Sequence, residues 1–79
     1  MKERVTGEVV TRNKLYSIRI ERVGSYTYVG TATVGSATSA GVWQIRRITN
    51  TGAGFNIQYA DGDTDYDNIW DNRGSLSYS

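Results

Sequence analysis

The run Tyr16-Ser17-Ile18-Arg19-Ile20-Glu21 alternates apolar with polar side chains at every residue. A period of two belongs to a β-strand with one face buried. Phe55-Asn56-Ile57-Gln58-Tyr59 repeats the pattern, and Val42–Ile48 turns Trp43 and Ile45 one way and Gln44 and Arg46 the other. The chain has no proline, so the turns between such runs fall on Gly, Asn and Asp, which tolerate positive φ. Six Tyr, two Trp and many Val, Ile and Thr complete a strand-forming composition, and helix formers are few.

In chain order, the first strand is expected at Arg4–Thr11, with Val5 and Val9 on one face and Gly7 as a possible bulge. The turn Arg12-Asn13-Lys14 leads to a strand over Leu15–Val23. Gly24-Ser25 is a two-residue hairpin signal, and Gly in first place suits a type II′ turn. Tyr26–Val34 returns as its partner. Gly35–Gly41, GSATSAG, is small and uncharged; it reads as a loop, a short helical turn, or a place where another backbone comes close. Asn50–Gly54 and Asp61-Gly62 are turns, and Tyr66–Trp70 and Leu76–Tyr78 are short extended pieces. No internal repeat is present. Five to six short antiparallel strands with turns every eight to twelve residues predict an all-β fold, a small barrel or sandwich, as a single domain over 1–79.

A core drawn from 79 residues supplies only about 3–5 kcal/mol of net stability, so small domains lean on staples. There is no Cys for a disulfide or thiolate site and no His for an imidazole ligand or base. Oligomerisation is the staple left, with a carboxylate-bound cation second. No apolar run approaches the roughly 18 residues of a helical membrane span. The opening MKERVTGEVV is charged and lacks an apolar segment, which points to cytosolic synthesis.

Charge is divided along the chain. Before Tyr59 there are eight Lys or Arg against three Glu; after it, five Asp stand with Arg73 alone. Such polarity fits a cation site or the association of unlike ends. The net charge of +1 argues against a nucleic-acid partner, which calls for a basic excess.

Each candidate site has a plainer reading beside it. Asp61, Asp63, Asp65 and Asp67 form an oxygen-rich run of the kind calcium favours. Position six of the corresponding EF-hand loop is Tyr66 rather than Gly, and position twelve is Asn72 rather than Glu, so the motif fails. A solvated acidic turn is the better description, with no metal or other cofactor expected. Trp43, Tyr59, Tyr66, Trp70 and Tyr78 could form a platform for a glycan or a base, but a core with one Phe and two Leu needs them for core or interface. Arg46 and Arg47 must point to opposite faces of their strand, and with Arg73 they are expected to meet the acidic tail, in this chain or a partner's. Paired carboxylates can hydrolyse glycosides, but such a site needs a deep cleft, and no Ser has a His to activate it. The chain is therefore read as not an enzyme.

Two runs, GSATSAGVWQIRRI at Gly35–Ile48 and WDNRGSLSY at Trp70–Tyr78, resemble short proteins or domains encoded among the virion and tail genes of tailed bacteriophages. Gly74 stands where Ala is common in that group and loosens the terminal segment. The resemblance carries no catalytic motif. It implies a non-enzymatic structural component of the virion, made in the host cytoplasm and acting by assembly with itself or with other virion proteins, without a membrane. The alternative is a glycan- or nucleic-acid-binding module working through an aromatic surface.

The failed loop motif yields a prediction. Calcium binds no tighter than the millimolar range of weak extracellular modules, so one millimolar calcium leaves the Tm almost unchanged. A rise of many degrees, reversed by chelator and lost in Asp63→Asn with Asp65→Asn, would make the acidic run the functional site.

Overall fold

The computed structural model describes residues 15–79. The strand expected at Arg4–Thr11 and the turn after it lie outside the described residues. The remainder is all-β, with five antiparallel strands, as the alternation predicts: β1 Tyr16–Val23, β2 Tyr26–Thr33, β3 Gly41–Asn50, β4 Phe55–Tyr59 and β5 Asn68–Ile69, followed by a 3₁₀ helix at Trp70–Ser75. The sheet runs β1-β2-β3-β4, and β5 pairs with the start of β3 beyond the end of β4.

The turns explain this simple order. Gly24 sits at φ +62° and Ser25 is not in the positive-φ region, the sign pattern of a type II′ turn, whose twist matches that of the flanking strands. Thr51–Gly54 closes the β3–β4 hairpin; Gly52 donates its N–H to Asn50 Oδ1 at 2.9 Å, and Thr51 its N–H to the Gly54 carbonyl at 2.9 Å. After β4, Asp61 and Gly62 both take positive φ (59° and 72°), as a type I′ turn requires.

GSATSAG is a turn-rich connection from β2 to β3, and another backbone does come close to it. The Trp43 indole N–H donates to the Ala37 carbonyl at 2.9 Å, and the Asp71 N–H to the Thr38 carbonyl at 3.1 Å. The neighbour is the chain's own 3₁₀ helix. Asp, Asn, Gly and Ser at 71–75 are poor strand formers, so the chain coils there instead of continuing β5. It then returns to the outer edge of β4. Tyr59 and Ser79 exchange backbone bonds of 3.0 and 3.1 Å, and Asp61 N–H donates to the Ser77 carbonyl at 2.7 Å.

This wrap makes the core. Trp43 and Trp70 are 1% and 4% exposed, with ring centroids 5.9 Å apart and planes tilted by 42°. Tyr28, Ala32, Ile45 and Ala60 surround them, and Leu76 and Tyr78 pack on the rim. The second layer is thus the C-terminal tail, folded over one face of a single sheet.

Gly30 is what admits it. A Cβ on Gly30 would stand 2.4 Å from Cε3 of Trp70 and 3.1 Å from Cε3 of Trp43. Gly within a strand ordinarily weakens it, so Ala should help at an open position. At Gly30 the sign reverses: Gly30→Ala is expected to cost about 1–3 kcal/mol by overpacking. Gly54, with open space where its Cβ would be, serves as the control, and Gly54→Ala should be neutral or slightly stabilising. Thermal unfolding of the two variants checks this; equal melting temperatures would refute the seat proposed for Trp70.

Candidate functional site: an uncovered sheet face

The register decides which side chains share a face. Gly30 lies opposite Arg19 on one side and Ile45 on the other, and Tyr28 opposite Glu21 and Arg47; these are the residues under the tail. On the other face, Ile20, Val29, Arg46 and Tyr59 form one row, and Arg22, Thr27, Ile48 and Ile57 the next. Ile18, Thr31 and Gln44 precede them, and Phe55 follows at the far edge.

One expectation is inverted here. The apolar stripe of β1 alternates as a half-buried strand should, yet Ile18 and Ile20 are 63% and 68% exposed, and Ser17, Arg19 and Glu21 lie on the tail side. In β4, Phe55 and Ile57 are likewise 71% and 59% exposed. The physical reason is that the indole layer sits over the small residues Gly30 and Ala32 of β2, and the pairing of β1 with β2 places Ile18 and Ile20 on the reverse side from those two. The sheet therefore presents apolar side chains on both faces, and only one is covered among the described residues. A sheet normally buries an apolar face against a second layer, and contiguous exposed patches of this kind mark interaction sites.

The open face carries two charges among the described residues, Arg22 and Arg46. Arg46 donates to Thr31 Oγ1 at 3.4 Å, and its Nε is buried without a hydrogen-bond partner. Arg47 points the other way, as its neighbour's orientation demands. Its guanidinium carbon lies 4.5 Å from the Tyr26 ring centroid and 4.7 Å from that of Tyr78, and it donates to Gln58 Oε1 at 3.0 Å. So Arg47 meets the tail through an aromatic ring rather than through an aspartate. Arg73 stacks 4.6 Å over Trp70 and forms an ion pair with Glu21, reaching into the body of the sheet rather than to the acidic run.

The acidic loop 61–67 rims one end of the open face. Gln44 Nε2 donates to the Thr64 carbonyl at 2.9 Å, and the Tyr66 ring lies 5.9 Å from that of Tyr16. Asp63 Oδ1 accepts the Asp65 N–H at 3.0 Å, an Asx turn. Among the described residues, no group of three or more acidic side chains is close enough to hold a metal ion. Of the aromatic candidates, Trp43 and Trp70 are core, Tyr59 and Tyr78 are half-buried, and Tyr66 is exposed. With both indoles buried, neither is free to stack on a ligand. Sequence reasoning did not select Ile18, Ile20, Ile48, Phe55 and Ile57 as site residues. Their alternation was visible strand by strand, but their sum into one face depends on register.

Compared with family models, with curated proteins and with solved structures, the chain finds no match.

The covered face supplies a pH test. Burial, reinforced by the neighbouring phenol of Tyr28 and opposed by Arg47 and Arg73, pushes Tyr78 up to about 12. Its hydroxyl donates to the Arg73 carbonyl at 2.8 Å, a bond that ionisation removes. Since Tyr titrates near 10 when unfolded, the folded state holds this proton more tightly. The contribution is fully present below pH 10 and is lost as pH rises toward 12. Unfolding free energy is expected to fall across that interval, and less steeply in Tyr78→Phe. Identical alkaline profiles for the two proteins would contradict the assignment.

Proposed function

We propose that this protein is a non-enzymatic structural component of a tailed-phage particle and acts by assembly. One observation carries the assembly part: a sheet that is apolar on both faces, with a single covering layer among the described residues. Among the described residues, Ile18, Ile20, Phe55 and Ile57 are left to water and Ile48 is half-buried, while the core rests on two indoles, Tyr28 and a few small or aliphatic side chains. Such a domain gains most from a partner that supplies the missing layer. The phage setting rests on the resemblance of Gly35–Ile48 and Trp70–Tyr78 to virion and tail gene products. In this fold those two runs are the parts that touch: Trp43 against Trp70, and Thr38 against Asp71. They support the reading as one structural unit, the seat and the tail that fills it.

The test is mass spectrometry of purified particles from a phage whose genome encodes the chain. It is expected in the particle at fixed stoichiometry to the major structural proteins, through density-gradient purification. Detection in infected-cell lysate with absence from gradient-purified particles would refute the virion role.

A further inference from the structure

The open face is oppositely charged at its two ends, and between them Arg46 is the single charge among the described residues. At one end lies the acidic loop 61–67, held there by Gln44 and by the Tyr16–Tyr66 contact. At the other is Arg22, whose Nε donates to the Gly24 carbonyl at 3.4 Å beside the β1–β2 turn. We infer that the missing layer is a second copy of this chain, packed face to face with its strands antiparallel to the first. The inference rests on the assembly reading and adds to it the partner and the orientation.

The charges select the orientation. A two-fold axis in the plane of the interface can run along the strands or across them. Along the strands, it brings the two acidic loops together, four aspartates against four. Across them, it lays each acidic loop over the partner's Arg22 end. Facing potentials of opposite sign fix register in this way.

Arg46 agrees with that choice. It stands in the row of Ile20, but its guanidinium leans to Thr31, one row toward the acidic loop. A row is roughly 6.6 Å, so with the axis through the Ile20 row the two Arg46 heads stand about 13 Å apart. That exceeds the screening length of about 8 Å at physiological ionic strength.

Size agrees as well. Four strands spaced about 4.8 Å apart and averaging about eight residues at 3.3 Å per residue offer a footprint of about 500 Å² per copy. Two copies bury on the order of 1,000 Å², where specific interfaces begin. Sheets packed in this manner interdigitate their inner side chains across about 10 Å, which Ile, Val and Phe suit.

The experiment uses the full chain. Sedimentation and light scattering at roughly 100 μM, a concentration suited to a small interface, are expected to give a dimer. Ile20→Asp and Ile57→Asp should each weaken it by about a hundredfold or more, since each buries an unpaired charge. Both positions are exposed in the monomer, so far-UV circular dichroism should be unchanged. Orientation is read independently. The chain has no cysteine, so Ser25→Cys and Asp65→Cys can each be made alone. A short bis-maleimide should join them when the two variants are mixed and give little product with either alone. A full chain monomeric at that concentration overturns the inference, whether the face is then covered by the chain's first fourteen residues or by another protein. So does an oligomer indifferent to Ile20→Asp and Ile57→Asp, or cross-linking of 25 to 25 and 65 to 65 instead of 25 to 65. Any of these leaves the virion role to stand or fall on the particle analysis.

Discussion

The described fold depends on one contact, the Trp70 ring lying on the bare backbone of Gly30 against Trp43. Among the described residues, Trp70 is the one tail side chain buried in the core, and Leu76 and Tyr78 pack around it at the rim. Without a Cβ at position 30, the indole descends to the peptide plane and is almost wholly removed from water. Everything downstream follows from that docking. The 3₁₀ helix is held where Asp71 can bond to Thr38, Arg73 is carried across to Glu21, and the last residues are led back to pair with β4. Arg47 is then clasped between Tyr26 and Tyr78, an arrangement worth about 0.5–2 kcal/mol depending on how far it is desolvated.

Using the tail as a layer has a cost on the other side. A short segment can cover only one face, and the tail spends its two aromatics and Leu76 there. The strands meanwhile supply apolar side chains to both faces: Tyr28, Ala32, Trp43 and Ile45 beneath the tail, and Ile18, Ile20, Val29, Ile48 and Ile57 on the reverse. A fully buried central sheet has this character, and a surface sheet does not. The division of charge along the chain acquires a spatial meaning from the same topology. The return loop between β4 and β5 carries the aspartates to one rim of the open face, while the β1–β2 hairpin carries Arg22 to the opposite rim.

Local chemistry determined a good deal of this protein directly from its sequence. Period-two alternation placed β1, β3 and β4 within a residue or two, because side chains on a strand must alternate, and the hairpin signal at Gly24-Ser25 placed β2. Gly24-Ser25 and Asp61-Gly62 marked turns because few other residues reach positive φ without strain. The opposed directions of Arg46 and Arg47 followed from adjacency alone. What tertiary structure decided was how those local facts add up. Alternation says that a strand has an apolar face but not which side that face takes, since this depends on its partner's register; so the stripe of β1 read as buried and proved open. The value of Gly30 depends on Trp70, forty residues away, and no local rule distinguishes a glycine that seats an indole from one that merely weakens a strand. The partners of Arg47 and Arg73 were aromatic rings and Glu21 rather than the aspartates that composition favoured. Long-range packing carried those rings to the arginines and the acidic loop to the opposite face.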